Sequence, residues 1–220
     1  LISYGVLNLT HRNSHEFPEP LTPGEIVRAR VVLDQCAYRV PAGHRLRVAI
    51  STTCWPMIWP SPEAVSLSIE SAKLTLPVRP LAAADEVRFQ EPEAAAPWRI
   101  ETTRRANSER HVDRDEKTGI VTLTVEDDFG EARDLDHGLV HGSAVRERWT
   151  IHPDDPLSAR TEIAWTQTLS RSEWSIRTET RSTITCDREN FHLAASIEAF
   201  EGDQPVFRRE FSDSIRRDHI

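Results

Sequence analysis

The chain has 220 residues, 38% hydrophobic and 28% charged, with 27 Lys and Arg against 35 Asp and Glu, a formal charge of -8. That length supports one large or two small domains with real cores, and basic residues interleaved with acids exclude a broad phosphate-binding surface, hence nucleic acid as a partner. No run approaches the ~18 apolar residues of a membrane span, and LISYGVLNL at the N-terminus lacks the basic flank of a signal peptide, so the expectation is a cytoplasmic protein with no membrane contact.

In chain order, Leu1–Leu9 comes first, an apolar, strand-like run with no initiating Met. A strand there needs a partner, and the chain reads as a piece of something longer. After the turn Thr22-Pro23-Gly24, Ile26–Leu33 alternates apolar and basic residues. His44–Thr52 follows Gly43 in the same way, with Leu46, Val48 and Ile50 on one face. The loop WPMIWPSPE, from Trp55 to Glu63, closes that strand, and Val65–Ile69 and Lys73–Val78 complete a first group. Cys36, Cys54 and Cys186 are odd in number and widely spaced, so no disulfide framework or CxxC knuckle is written here, which fits a reducing compartment.

The texture changes between Pro80 and Pro97, a stretch rich in Ala, Pro and acids that reads as a connector. The expected organisation is residues 1–80 as one domain, 81–97 as linker and 98–220 as a second. Eight further strands are predicted in the second part: Trp98–Arg104, Ser108–Asp115, Gly119–Glu126, Ala144–Ile151, Arg160–Leu169, Glu173–Cys186, Phe191–Glu201 and Val206–Phe211. Short separations suit an antiparallel meander, a twisted sheet or a barrel-like closure. In Ser175–Cys186 the apolar and hydroxyl residues Ile176, Thr178, Thr180, Ser182 and Ile184 share one face, and Arg177, Glu179 and Arg181 share the other, so one face is packed and one solvated.

Taken together, GVLNLTHR (Gly5–Arg12), PEPLTPGE (Pro18–Glu25), the strand ending at Leu33, AGHRLRVAIS (Ala42–Ser51) and WPMIWPSPE resemble the C-terminal part of serine hydrolases of the X-Pro dipeptidyl-peptidase and cocaine-esterase (CocE/NonD) type. The resemblance covers about the first 80 residues, and the order of the blocks carries it. It implies an all-β chain: part of a jelly-roll β-sandwich of galactose-binding-like type, with roughly 60 residues of first strands lying upstream of Leu1. Residues 98–220, including IHPDDPLSARTEIAW (Ile151–Trp165), look like the extra C-terminal β domain of a long subgroup of acyl esterases. The implied partner is an N-terminal α/β-hydrolase domain of the same parent chain, and homo-oligomerisation is a further expectation.

Acyl transfer in such hydrolases needs a Ser on a strand-to-helix elbow, a His, an Asp and an oxyanion hole. No G-x-S-x-G occurs here. HGSAV around Ser143 comes nearest, without the strand-to-helix context, so no catalytic residue is assigned. His44 occupies the GHR position, where Gly43 and His44 read as a structural turn, the imidazole expected to donate to a backbone carbonyl. His11 with His15, and His137 with His141, are four apart in loops, and the second pair has Asp127, Asp128, Asp134 and Asp136 around it. Solvated loops explain them better than a metal site, so neither metal nor cofactor is assigned.

Trp55, Met57, Ile58 and Trp59 form the largest apolar cluster in any predicted loop, stiffened by Pro56, Pro60 and Pro62. They are the candidate contact residues. One reading makes them an interdomain plug or pocket wall against the hydrolase domain, a second makes them an aromatic platform for sugars, and a third is ordinary core packing. The leading expectation is therefore a non-catalytic fragment that buttresses a hydrolase and shapes substrate access, and the alternative is a stand-alone carbohydrate- or ligand-binding β-sandwich.

Overall fold

A computed structural model describes residues 1–80, 82 and 86–219. Part of the expected connector 81–97, at 81 and 83–85, lies outside the described residues. Regular structure is all β apart from one 3-10 turn, Leu9–His11. The strands are β1 (Ile100–Arg104), β2 (Asn107–Arg114), β3 (Val121–Asp134), β4 (Val140–His152), β5 (Asp155–Arg171), β6 (Trp174–Cys186), β7 (Asn190–Glu201) and β8 (Gln204–Arg216). Among the described residues no helix is long and apolar enough to cross a membrane.

The eight strands form one antiparallel sheet in which β3 through β8 follow chain order, while β1 and β2 pair in succession along the same edge of β3. Together they amount to a single edge strand broken at Arg105-Ala106. The break faces a bulge: β3 advances three residues from Asp128 to Glu131 while β4 steps only from Ala144 to Gly142. Gly130 sits in that bulge at a φ of +82°, a conformation costly for any residue with a Cβ.

All eight strands expected after Pro97 are present. β3 is longer than the pattern suggested, running through Asp127 and Asp128, because the bulge absorbs the acid-Gly segment that looked like a loop. Barrel-like closure does not occur: β1 and β2 end the order on one side and β8 on the other, and each pairs with one neighbour only.

Upstream, the expected runs Ile26–Leu33, His44–Thr52, Val65–Ile69 and Lys73–Val78 carry no ladder. Alternation makes a segment fit for a half-buried pleat, but a strand also needs a row of partners for its N–H and C=O groups. Ile26, Val32, Val48 and Val78 are exposed by 80, 73, 59 and 88%, so their apolar sides are uncovered. The first run is tied down locally: the Asp34 N–H donates to Tyr4 O at 2.8 Å and the Ser3 hydroxyl to Asp34 O at 2.7 Å. Asn8 and Thr10 both donate to His219 O, at 2.6 and 2.8 Å, linking the chain's two ends.

Cross-strand register sorts the sheet into two faces. Residues directly opposite share a face, so Thr161, Ile184 and Leu193 join Leu123 and Trp149 on one side. This face is mainly apolar. The opposite face carries Glu126 with Arg146 at 2.8 Å, Arg148 with Glu162 at 3.2 Å, Arg177 with Glu179 at 2.9 Å and Arg208 with Glu198 at 3.3 Å. Each such exposed pair contributes about 0–1 kcal/mol, so this face is adapted to water and adds little cohesion.

Candidate functional site on the apolar sheet face

The loop after Ser51 folds back onto the apolar face. Its turn closes through the Ile58 N–H to Cys54 O at 2.9 Å. Trp55 and Trp59 stand edge-to-face, centroids 5.1 Å apart; Trp55 meets Trp149 of β4 at 5.9 Å, and Trp59 meets Phe191 of β7 at 5.7 Å and 90°. Such edge-to-face contacts match a ring's positive rim to a negative face and are worth about 0.5–1.5 kcal/mol each beyond burial. The Trp59 indole N–H points at Cys186 Sγ, 3.2 Å away. Trp149 gives its own indole N–H to Glu147 at 3.0 Å.

Arg217, just beyond β8, locks this contact. Its side chain is 6% exposed, donates to Pro60 O at 2.6 Å and Asp187 O at 3.0 Å, and lies 4.6 Å from the Phe191 ring centroid. Two carbonyls from distant segments thus share one guanidinium, which offers several donors in a fixed fork. At the rim, Arg188 and Glu63 approach to 3.5 Å beside an open cavity of about 430 Å³ lined also by Asp154, Asp155 and Leu157.

Of the four candidate contact residues, Trp55 and Trp59 turn inward onto the chain's own sheet, while Met57 and Ile58 stay exposed at 60 and 38%. Gly43 has a φ of +82° and the His44 N–H closes the turn on Pro41 O at 3.2 Å. The backbone of His44 serves that turn; its ring makes no hydrogen bond among the described residues. Ser143 lies mid-strand in β4 opposite Gln167, with no helix after it.

The two histidine pairs also find ordinary roles. His11 and His15 rings lie 5.5 Å apart. His137 reaches Asp134 at 3.1 Å, and His141 stacks on Trp98 at 5.7 Å, nearly parallel. Asp134 is buried and takes the Trp98 indole N–H at 2.6 Å, and that bond, helped by the N–H groups of Asp136 and His137, holds its carboxyl below the usual carboxylate range. Among the described residues no three His, Cys, Asp or Glu side chains are grouped to hold a metal. All three cysteines are free, Cys186 half-buried and the others exposed.

Sequence reasoning missed two features. Arg217 gave no signal, being a lone Arg beside another. The second is a hydrogen-bonded chain of Ser214, His192 and Asp187: Ser214 Oγ lies 3.3 Å from His192 Nδ1, and His192 Nε2 lies 2.8 Å from Asp187 Oδ2. Only the pairing of β7 with β8 brings these residues together. The trio stands on the polar face, with the His192 and Asp187 side chains about half exposed. It tethers the β6–β7 turn, because Asp187 also accepts the N–H groups of Glu189 and Asn190, each at 2.7 Å.

These contacts, the Glu189 N–H first and then His192 and the Asn190 N–H, lower the Asp187 carboxyl from 3.8 to about 2. A carboxylate depressed in the folded state contributes stability above its unfolded value and loses it as pH falls through the folded one. Urea unfolding midpoints should therefore drop between pH 3.8 and about 2. Asp187→Asn should start lower at neutral pH and flatten that part of the curve; an unchanged acid limb would show that the turn does not depend on the charge.

Part of the apolar face is not covered by the loop. There Phe129 stacks on Trp165 at 5.6 Å, yet Phe129 is 56% exposed, and Phe207, Phe211 and Ile215 of β8 are exposed by 51, 46 and 50%. The accessible surface of the chain is 18301 Å², whereas a compact monomer of 25.0 kDa has about 10,000 Å². Most residues of the unladdered first half, and every residue of β1, β2 and β8, are exposed.

Comparison with known proteins gives one family. The model of the X-Pro dipeptidyl-peptidase C-terminal non-catalytic domain matches residues 1–126, which runs from the N-terminus through the Trp-Pro loop, β1 and β2 into β3. No curated protein and no solved structure matches. With more than half of its length matched, the chain belongs to the X-Pro dipeptidyl-peptidase C-terminal non-catalytic domain family.

Proposed function

We propose that this chain is the non-catalytic C-terminal part of a cytoplasmic acyl esterase of the CocE/NonD type, in which it buttresses an α/β-hydrolase domain and shapes access to its substrate pocket. Residues 1–80 are then the jelly-roll part, 81–97 the connector and 98–220 an added β domain. The observation that carries the reading is the family membership of residues 1–126. The uncovered apolar residues support it, since soluble monomers rarely leave large contiguous apolar patches without a partner. Exposed Met57 and Ile58, presented by a loop whose tryptophans are anchored behind them, are the residues assigned to meet the hydrolase domain.

A chain with this role should not turn over esters or peptides by itself. Purified protein incubated with short p-nitrophenyl esters and Xaa-Pro anilides is expected to match the buffer blank. Ser214 with His192 and Asp187 supplies the informative control, because its hydrogen-bond order resembles that of a triad while standing on an open strand. Turnover above background that disappears in Ser214→Ala or Ser143→Ala would overturn the non-catalytic reading.

A further inference from the structure

β8 is an edge strand of 13 residues, exposed along its whole length. Long exposed edges with apolar side chains are templates for another strand. On the apolar face β8 presents Phe207, Arg209, Phe211, Asp213 and Ile215 in alternation. Among the described residues neither Arg209 nor Asp213 has an ion-pair partner: the Arg209 guanidinium rests over Phe211 at 4.7 Å, and Asp213 accepts the Ser214 N–H at 2.8 Å. Four residues apart on one strand they are separated by about 13 Å, too far to meet each other.

The phase of the backbone is also fixed. One step past the Asn190–Arg216 pair, the Arg217 N–H bonds Glu189 O at 2.6 Å. In an antiparallel ladder bonded and unbonded pairs alternate, so from Phe207 onward, past the register shift at Ala199–Phe200, the odd-numbered residues of β8 bond to β7 and the even-numbered ones turn their N–H and C=O groups to the free edge. Ser214 fits this, its N–H being taken by the neighbouring Asp213 carboxylate instead of by β7.

We infer that two copies of this chain pair antiparallel through β8 about a two-fold axis at Phe211. That axis sets Phe211 against Phe211 of the partner subunit, Arg209 against Asp213 of the partner subunit, and Phe207 against Ile215 of the partner subunit. An axis at an odd-numbered residue pairs odd with odd and even with even. The outward groups of Arg208, Glu210, Ser212 and Ser214 then form the new ladder, Glu210 opposite Ser212 and Arg208 opposite Ser214. Both unpaired charges that β8 presents on the apolar face are neutralised by the same step, and the Asp213 carboxylate releases the Ser214 N–H to the ladder. An isologous interface requires this self-complementarity, which other registers of β8 on itself do not provide for this charge pair.

Sedimentation velocity at high micromolar concentration tests the pairing, with far-UV circular dichroism confirming the fold of each variant. The 220-residue chain should sediment as a dimer. Arg209→Asp and Asp213→Arg each put like charges opposite one another twice, and each should weaken dimerisation by roughly tenfold or more. The double variant exchanges the signs and should dimerise again, which also shows that neither change prevents folding. Ser212→Pro removes an outward N–H, keeps both charges and should give a monomer. A monomeric wild type would make Arg209 and Asp213 guards that keep the edge unpaired, and overturns the inference. So does a dimer indifferent to the single charge changes or not restored by the double one.

Discussion

Arg217→Ala is expected to lower the stability of the chain by about 3 kcal/mol, because it removes two hydrogen bonds from a buried cation, each worth about 1.5–3 kcal/mol, and strands the acceptors. The bonds end on Pro60 O and Asp187 O, so one substitution frees both the Trp-Pro loop and the β6–β7 turn. Contact with the Phe191 ring is lost as well. Its Nε atom is buried without a partner, which offsets part of the loss. Urea unfolding followed by tryptophan emission measures the effect, and the native spectrum should shift to the red as Trp55 and Trp59 leave the sheet. Arg217→Lys keeps the charge but offers its donors from one nitrogen where the guanidinium uses two, Nη1 and Nη2, in a fixed fork, so about half of the stability should return. A change below about 1 kcal/mol for the alanine variant would mean that the aromatic contacts hold the loop without the cation.

The same residue shows where sequence reading stops. Strands β4 to β7 are legible because Val, Ile, Thr and aromatic residues alternate with charges, which is the signature of a pleat with one dry and one wet face. Nothing of that kind distinguishes Arg217 from Arg216, although Arg216 pairs with Asp218 at the surface, 3.1 Å away, while Arg217 turns inward. Ile26–Leu33 and His44–Thr52 alternate as clearly as β6 does and have no ladder, since periodicity reports what a segment could pair with and not whether a partner is beside it. The Trp-Pro loop is legible as an apolar cluster; that its two indoles pack on the chain's own sheet depends on β4 and β7 lying under them, and that is set by register. Ser214, His192 and Asp187 required register too, because the sequence separation of 22 between His192 and Ser214 is bridged only when β7 and β8 are aligned.

Gly130→Ala is the second large effect, and the edge strand is where it acts. A Cβ at this position would stand 2.7 Å from Arg104 O and 2.9 Å from Ala106 N, both backbone atoms that no side-chain rotation can move aside. The φ of +82° adds strain for any L-residue, about 1–2 kcal/mol. Together the two should cost about 3 kcal/mol and pull β1 and β2 from β3 at the point where the edge is already broken. Asp128, which pairs with Arg104 and also accepts the Gly130 N–H at 2.8 Å, ties the two sides of the bulge together, so the disturbance should spread along both strands. Gly138→Ala separates the causes: its φ is +73° but nothing lies within 4 Å of the added carbon, so it should show the strain without the collision, about 1 kcal/mol. Hydrogen exchange should then report faster loss of protection in β2 and in the facing half of β3 for Gly130→Ala, with β5 and β6 unaltered. Equal destabilisation by the two substitutions would mean that the edge strand gives way freely, and that β1 and β2 are held to the sheet too weakly to resist a single carbon.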